Sequence, residues 1–248
     1  MGILGDVVAW LTDPANWEGS SGIPVRIYEH LIMSVQAVAL GALIAIPVGL
    51  AIGHTRRFEF LAVSIGNIGR ALPSFGIVAI TYVVTLNWPG NIGFWPTFIA
   101  LTALTIPPVL TNTYVGIKGV DDDTLEAARG MGLSGTQSLR RIEVPLAAVL
   151  IVAGLRTAAV QVVATATLGA FTGWGGLGRF IVDGFAVSDD AQIVGGAVLV
   201  ATLAVLTEVS MALGQRIVAP RVSSSGRKLK FGRGVDPGAP GLADNVTP

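Results

Sequence analysis

The chain has 248 residues, of which 52% are hydrophobic and only 13% charged, against about 25% charged in soluble domains. So little charge could not keep a soluble fold dispersed, and a bilayer removes that demand because a lipid-facing surface must be apolar. The lack of cysteine excludes disulfides and thiolate metal sites, and two histidines, His30 and His54, are too few for a multi-histidine metal cluster. With formal net charge zero, partners must be read from where the charges fall, and no nucleic-acid partner is expected.

Taken from the start, no basic segment leads into an apolar core and a small-residue cleavage site, so no signal peptide is expected. Ile3 to Leu11 reads as a short amphipathic piece at the membrane interface, within an external N-terminal segment, residues 1–26. A transmembrane domain then covers residues 27–217, with five apolar stretches long enough to cross a bilayer as helices. They run from about Tyr28 to Gly53, Phe60 to Leu86, Ile92 to Ile117, Leu146 to Phe171 and Gln192 to Leu213. The second carries Arg70 and Pro73 and is expected to be kinked or split. The expected fold is therefore all-α, integral to the membrane, with about five transmembrane helices.

The cations set the orientation. Arg56 and Arg57 follow the first stretch; Lys118, Arg129, Arg140 and Arg141 lie between the third and fourth; Arg216, Arg221, Arg227, Lys228, Lys230 and Arg233 follow the fifth. That side is expected to be cytoplasmic, which puts the N-terminus outside and the C-terminus inside. Trp88 and Trp95 flank the short outer turn Asn87 to Asn91, where interfacial aromatics belong. Residues 218–248 turn to Ser, Gly, Pro and scattered charge and read as a disordered cytoplasmic tail.

Within the stretches, Thr157, Gln161 and Thr165 recur every four residues and share one helix face. They either line a pathway or satisfy neighbouring backbone. Arg156 needs a partner inside a bilayer, Glu143 being one candidate; Arg70 needs one too, Glu208 being a candidate. Glycines surround Thr172 and Trp174 at the outer end of the fourth stretch, and Trp174 is a candidate to seal an outer mouth. His30 and Ser34 lie four apart, which reads as a hydrogen-bonded helix pair rather than a nucleophile pair.

One loop, residues 118–145, is much longer than the others. Its acidic run reads as a helix start, with Asp123 or Thr124 as the cap; Leu125, Glu126, Ala127 and Ala128 continue a small-faced helix that Gly130 and Gly132 end. Such a helix at a membrane surface suits docking into a partner's groove. The spacing of Glu126-Ala127-Ala128, Gly132, Ile142 and Val144-Pro145 resembles the E-A-A motif of binding-protein-dependent ABC importer permeases, with Val144 where that family usually has leucine. Ile106-Pro107-Pro108 through Asn112-Thr113-Tyr114 and Gly116, Ala153 to Ala158, Gly175 to Gly178, Glu29-His30-Leu31 and Leu72-Pro73-Ser74 resemble further elements of its osmoprotectant branch, which handles glycine betaine, choline and carnitine.

The resemblance implies a non-catalytic membrane subunit that forms the path for a small quaternary ammonium solute. It implies an ATPase-coupling segment at Asp123, Thr124, Leu125, Glu126, Ala127, Ala128, Gly132, Ile142 and Pro145; the polar helix face of Thr157, Gln161 and Thr165, with Trp174 and Pro73, is the candidate pathway. Two ABC ATPase subunits, a second permease subunit, identical or paralogous, and an extracytoplasmic solute-binding protein are the implied partners, in a bacterial plasma membrane. No cofactor is expected in this chain. Lys118, Lys228 and Lys230 are followed by Gly, Leu and Phe, so none completes a phosphate-binding loop. The alternatives are a permease for another small solute such as an amino acid, a channel, or an intramembrane enzyme using His30 or Glu208.

Overall fold

The structure is a computed structural model that describes residues 2–90 and 93–218, without the side chains of Arg70 and Val218. Almost all of it is helix. The first helix, α1 (Ile3–Thr12), buries Val7 and Trp10 against the rest of the chain and leaves Leu4 and Val8 exposed. An apolar stripe divided between protein and surroundings is the pattern of an interfacial helix. Asp13 accepts a hydrogen bond from the Ala15 N–H and opens a short 3₁₀ turn, which leads to α2 (Ile23–Thr55). With 33 residues, α2 is roughly 50 Å long at about 1.5 Å per residue, ample for a bilayer core.

The second expected span is two helices, α3 (Glu59–Ala71) and α4 (Ser74–Thr85), bent by 96°. Leu72 and Pro73 between them are extended, as the residue before a proline prefers. Neither half is long enough to cross alone; together they have the length and composition of one broken span. Along α5 (Phe94–Lys118), Glu59 meets Lys118, Gly69 meets the ring of Pro107, and Thr81 donates to the carbonyl of Pro96. The partners step evenly down α5 in the opposite sense, so the bent pair runs antiparallel to it from end to end.

Next come α6 (Asp122–Gly130) and α7 (Gly135–Ser138), then a π turn, Leu139–Glu143. The fourth span, α8 (Val144–Thr165), ends in a 3₁₀ segment, Ala166–Thr172. A short helix, α9 (Gly178–Val187), caps the side opposite α6 and packs on α10 (Asp190–Val218). The glycine-rich sequence before it reads as a turn, and α9 is an element that the sequence reading did not anticipate. Among the described residues, four helices are long and apolar enough to span a membrane, or five when α3 and α4 are counted as one broken span. Residues 219–248, read as a cytoplasmic tail, lie outside the described residues.

The centre of the bundle is α5, flanked by α2, α8 and the broken span. Its tightest seam is with α2, and the two run parallel. Gly41, Gly49 and Gly53 lie directly against Thr105, Thr113 and Ile117, while Ala45 and Val109 share one buried cluster between them. Small residues every fourth position on α2 thus face branched ones every fourth position on α5. A methyl at Gly41 or Gly49 would sit 2.5 or 2.7 Å from the Cβ of its threonine. In lipid, where apolar burial between helices gains little, this close backbone approach is what holds helices together. On its other side, α8 packs antiparallel to α5, with Gly154 against Asn112 and Gly116 against Ala147.

Candidate functional site

Helix α6 lies at the end of the bundle that carries Arg56, Lys118 and Arg129. It begins at Asp122 with Asp121 at its cap, two or three residues before the expected caps Asp123 and Thr124, and Asp122 and Asp123 fill its first turn. Negative charge there suits the helix dipole. The helix stops in a Schellman turn: the Leu133 N–H bonds the carbonyl of Ala128, and the Gly132 N–H that of Arg129. Gly132 has φ +79, and a Cβ there would meet nothing within 4 Å. Its glycine is therefore required by backbone conformation, not by space.

Of the expected coupling residues, Leu125 and Ala128 are buried against their own chain, while Asp123, Thr124, Glu126 and Ala127 are exposed. Ala128 thus seats the helix instead of offering a surface. Met131, which the sequence reading did not single out, is 74% exposed and extends the outward face. Ser134 and Gln137 form a reciprocal capping box that starts α7. Ile142 is half-buried within the π turn and Pro145 is exposed just after it. Proline has no N–H, and its ring would press on the carbonyl four residues back, so a widened turn there is the expected relief.

That π turn directs Glu143 inward, where it is 3% exposed. Both its oxygens lie 2.9 Å from Nδ1 of His54, and Ser138 Oγ donates to it at 3.2 Å. Arg56 pairs with Asp122 at the other end of the loop, with Nη1 3.3 Å from Oδ2; the bond raises the Arg56 guanidinium pKa above its ordinary value. Lys118 pairs with Glu59 at 2.5 Å and bonds the Tyr114 hydroxyl at 3.0 Å. A polar cavity of about 410 Å³ separates α2 from the loop, lined by His54, Arg56, Leu125, Arg129, Ser138 and Glu143 among others.

Glu143 is therefore not the partner of Arg156. Arg156 pairs across the α8–α10 seam with Glu208, Nε to Oε2 at 2.9 Å, and bonds Gln215 at 3.0 Å. Antiparallel packing puts Glu208 at the same depth as Arg156, whereas Glu143 lies more than three turns away along α8. The side chain of Arg70, for which Glu208 was a candidate, lies outside the described residues.

A second polar cavity, about 210 Å³, lies at mid-depth and is lined by Gly69, Pro107, Pro108, Thr111, Asn112, Thr157 and Gln161 among others. Thr157 also satisfies its own helix, donating to the Ala153 carbonyl at 3.0 Å. Thr165, half-buried, is not among the cavity's lining. Pro73 is exposed at the bend, beside Phe75, whose ring meets Phe171 edge-on at 5.7 Å. Trp174 is half-buried, packing on Phe94 and a buried cluster that includes Met33, Leu101 and Val162.

At the opposite end from α6, two elements singled out in the sequence meet. Glu29 accepts from the Gly176 N–H at 2.8 Å, and a side chain at Gly175 would collide with its carboxylate. His30 is 1% exposed; its Nδ1 accepts from the Leu177 N–H and its Nε2 donates to the Val163 carbonyl at 2.8 Å. Ser34 bonds the backbone carbonyl of His30, not its ring. With both ring nitrogens engaged by backbone, His30 acts as a fastener.

Residues 38–224 match the family model of the binding-protein-dependent transport system inner membrane component. The chain is similar to the glycine betaine/carnitine/choline transport system permease protein OpuCB of Bacillus subtilis, 37% identical over 78% of this chain and 87% of that one. It also resembles the permease protein OpuCD of the identically named system in that organism, at 33% over 79% and 83%. The carnitine transport permease protein OpuCB of Listeria monocytogenes is 31% identical over 85% and 94%. Among solved structures, a chain of the MetNI methionine ABC transporter in an inward-facing conformation superposes with a TM-score of 0.71, at 21% identity, over 84% of this chain and 100% of that one. A broken second span, a long loop bearing the Glu126-to-Pro145 spacing and these likenesses converge: the chain belongs to the binding-protein-dependent transport system inner membrane components, multi-pass permease subunits of the bacterial plasma membrane.

Proposed function

We propose that this chain is the membrane-spanning subunit of an ATP-driven importer for a small osmoprotectant-type solute, of the glycine betaine, choline or carnitine kind. The substrate class rests on the names of its relatives. The coupling role rests on one observation: α6 is seated by Leu125 and Ala128 while Glu126, Ala127 and Met131 face outward at the cation-rich end of the bundle. That face takes up a cleft in an ATPase subunit, and ATP is hydrolysed there, not in this chain. By the placement of cations this end is cytoplasmic, the N-terminal segment 1–26 is external, and 218–248 forms a cytoplasmic tail.

Exposed polar groups at mid-depth support a pathway along one face. Asn67, Thr157 and Gln161 would be costly against lipid tails, so a second permease subunit and the solute's path cover them. Since two differently named permeases of one system in one organism both resemble this chain, a paralogous partner fits as well as an identical one. A solute-binding protein delivers the solute to the side of α9.

The test is co-reconstitution with an ATPase subunit and a binding protein, using Ala127→Arg, which adds bulk and charge only to the outward face. ATPase co-purification should weaken by about 2 kcal/mol or more, as for a buried hot spot, and ATP-dependent uptake should fall with it. Uptake that continues without any ATPase subunit would overturn the proposal.

A further inference from the structure

The turn between α2 and α3 is held in an uncommon backbone. Arg56 and Phe58 both have positive φ, 54° and 61°, where a side chain crowds the following carbonyl. Phe58 is 70% exposed, so burial of its ring does not compensate. Such outliers persist only where neighbours over-determine them, and they collect at switch regions. Here the neighbours are the two ends of the long loop. Asp122, at its start, grips Arg56; Glu143, at its end, grips His54. Gly135 lies against the His54 ring, its absent Cβ 3.4 Å from Nε2. The 410 Å³ cavity lies between these two ties, so polar bonds bridge a gap that apolar packing does not fill.

Immediately after the turn, Glu59 opens α3 and is held by Lys118. α3 then leads to the 96° bend and to Gly69, which lines the mid-depth cavity with Gln161. We infer that residues 54–58 are positioning residues of the transport cycle: they relay displacement of the α6 loop to the broken span α3–α4, through His54–Glu143 and Arg56–Asp122. This inference rests on the reading of α6 as the ATPase-facing lever. The strained turn takes up that displacement, and the two ties hold it in the conformation described.

The experiment measures solute taken up per ATP hydrolysed by the reconstituted complex. Arg56→Glu and His54→Ala should leave ATPase co-purification and hydrolysis in place while that ratio falls by about fivefold or more, the size of an ordinary coupling. The reversed pair, Arg56→Glu with Asp122→Arg, should recover most of the ratio, which a merely disrupted fold would not. Phe58→Gly, which adopts positive φ without strain, touches neither tie and should lower the ratio on its own. An unchanged ratio in Phe58→Gly and His54→Ala, or a reversed pair no better than Arg56→Glu, overturns the relay. Failure of the unaltered chain to retain any ATPase would instead overturn the lever reading beneath it.

Discussion

Gly49 gives the sharpest test of how this bundle is held together. A methyl added there would lie 2.7 Å from Cβ and 2.9 Å from Cγ2 of Thr113, and 3.1 Å from the carbonyl of Leu110. Carbon atoms settle at about 3.5–4.0 Å, so α2 and α5 would have to part by roughly 1 Å. Overpacking of this kind costs about 1–3 kcal/mol, while exchanging a mid-helix glycine for alanine gains about 1 kcal/mol in propensity. Gly49→Ala should therefore be neutral to about 2 kcal/mol destabilising, and Gly49→Leu should lose about 3 kcal/mol or more. For a chain of this size about 3 kcal/mol lowers the thermal midpoint by roughly 6–12 °C. Gly214 is the control, because a methyl there meets nothing within 4 Å; Gly214→Ala should raise the midpoint slightly. Thermal unfolding of the detergent-purified variants reads all three. If Gly49→Leu melts with the unaltered protein, the α2–α5 seam is not the close contact derived above.

Gly132→Val forces a branched side chain to φ +79 at a cost of about 1–2 kcal/mol; hydrogen exchange should show the end of α6 fraying while the spans keep their protection. His30→Phe leaves the Leu177 N–H and Val163 carbonyl unpaired in a buried site, about 1–3 kcal/mol for each group, and should lower the thermal midpoint accordingly. Arg156→Met and Glu208→Leu should each reduce folded yield, and the double variant should recover it; no recovery would mean that the two residues act apart.

The spans themselves were legible because an apolar run of this length has few other uses. Pro73 located the bend within the second span but not its 96° angle, nor the contact of Gly69 with Pro107 across the seam. The coupling residues were legible as a motif, yet sequence alone could not divide them into inward and outward sets. Ala128 and Ala127 are identical in type and differ only in which way the helix turns them. Partners of buried charges were harder still. Arg156 was matched to Glu143 by nearness along the chain, while the true partner, Glu208, is close only once α10 packs back on α8. The tie of His54 to Glu143 was out of reach because the two lie 89 residues apart along the chain. The small residues at 41, 45, 49 and 53 are a sequence signal for the α2 seam, one to every fourth position.

The parallel contact of α2 with α5 has a consequence for biogenesis. These are the first and third crossings to be synthesised, and the seam between them cannot close until Lys118 has been made. Until then α2 must wait in the membrane with a row of glycines turned to lipid. The crossing made in between consists of two helices each too short to insert securely alone. The nascent chain thus passes through a stage when its least self-sufficient segment has no finished neighbour to lean on, and errors of insertion should concentrate there.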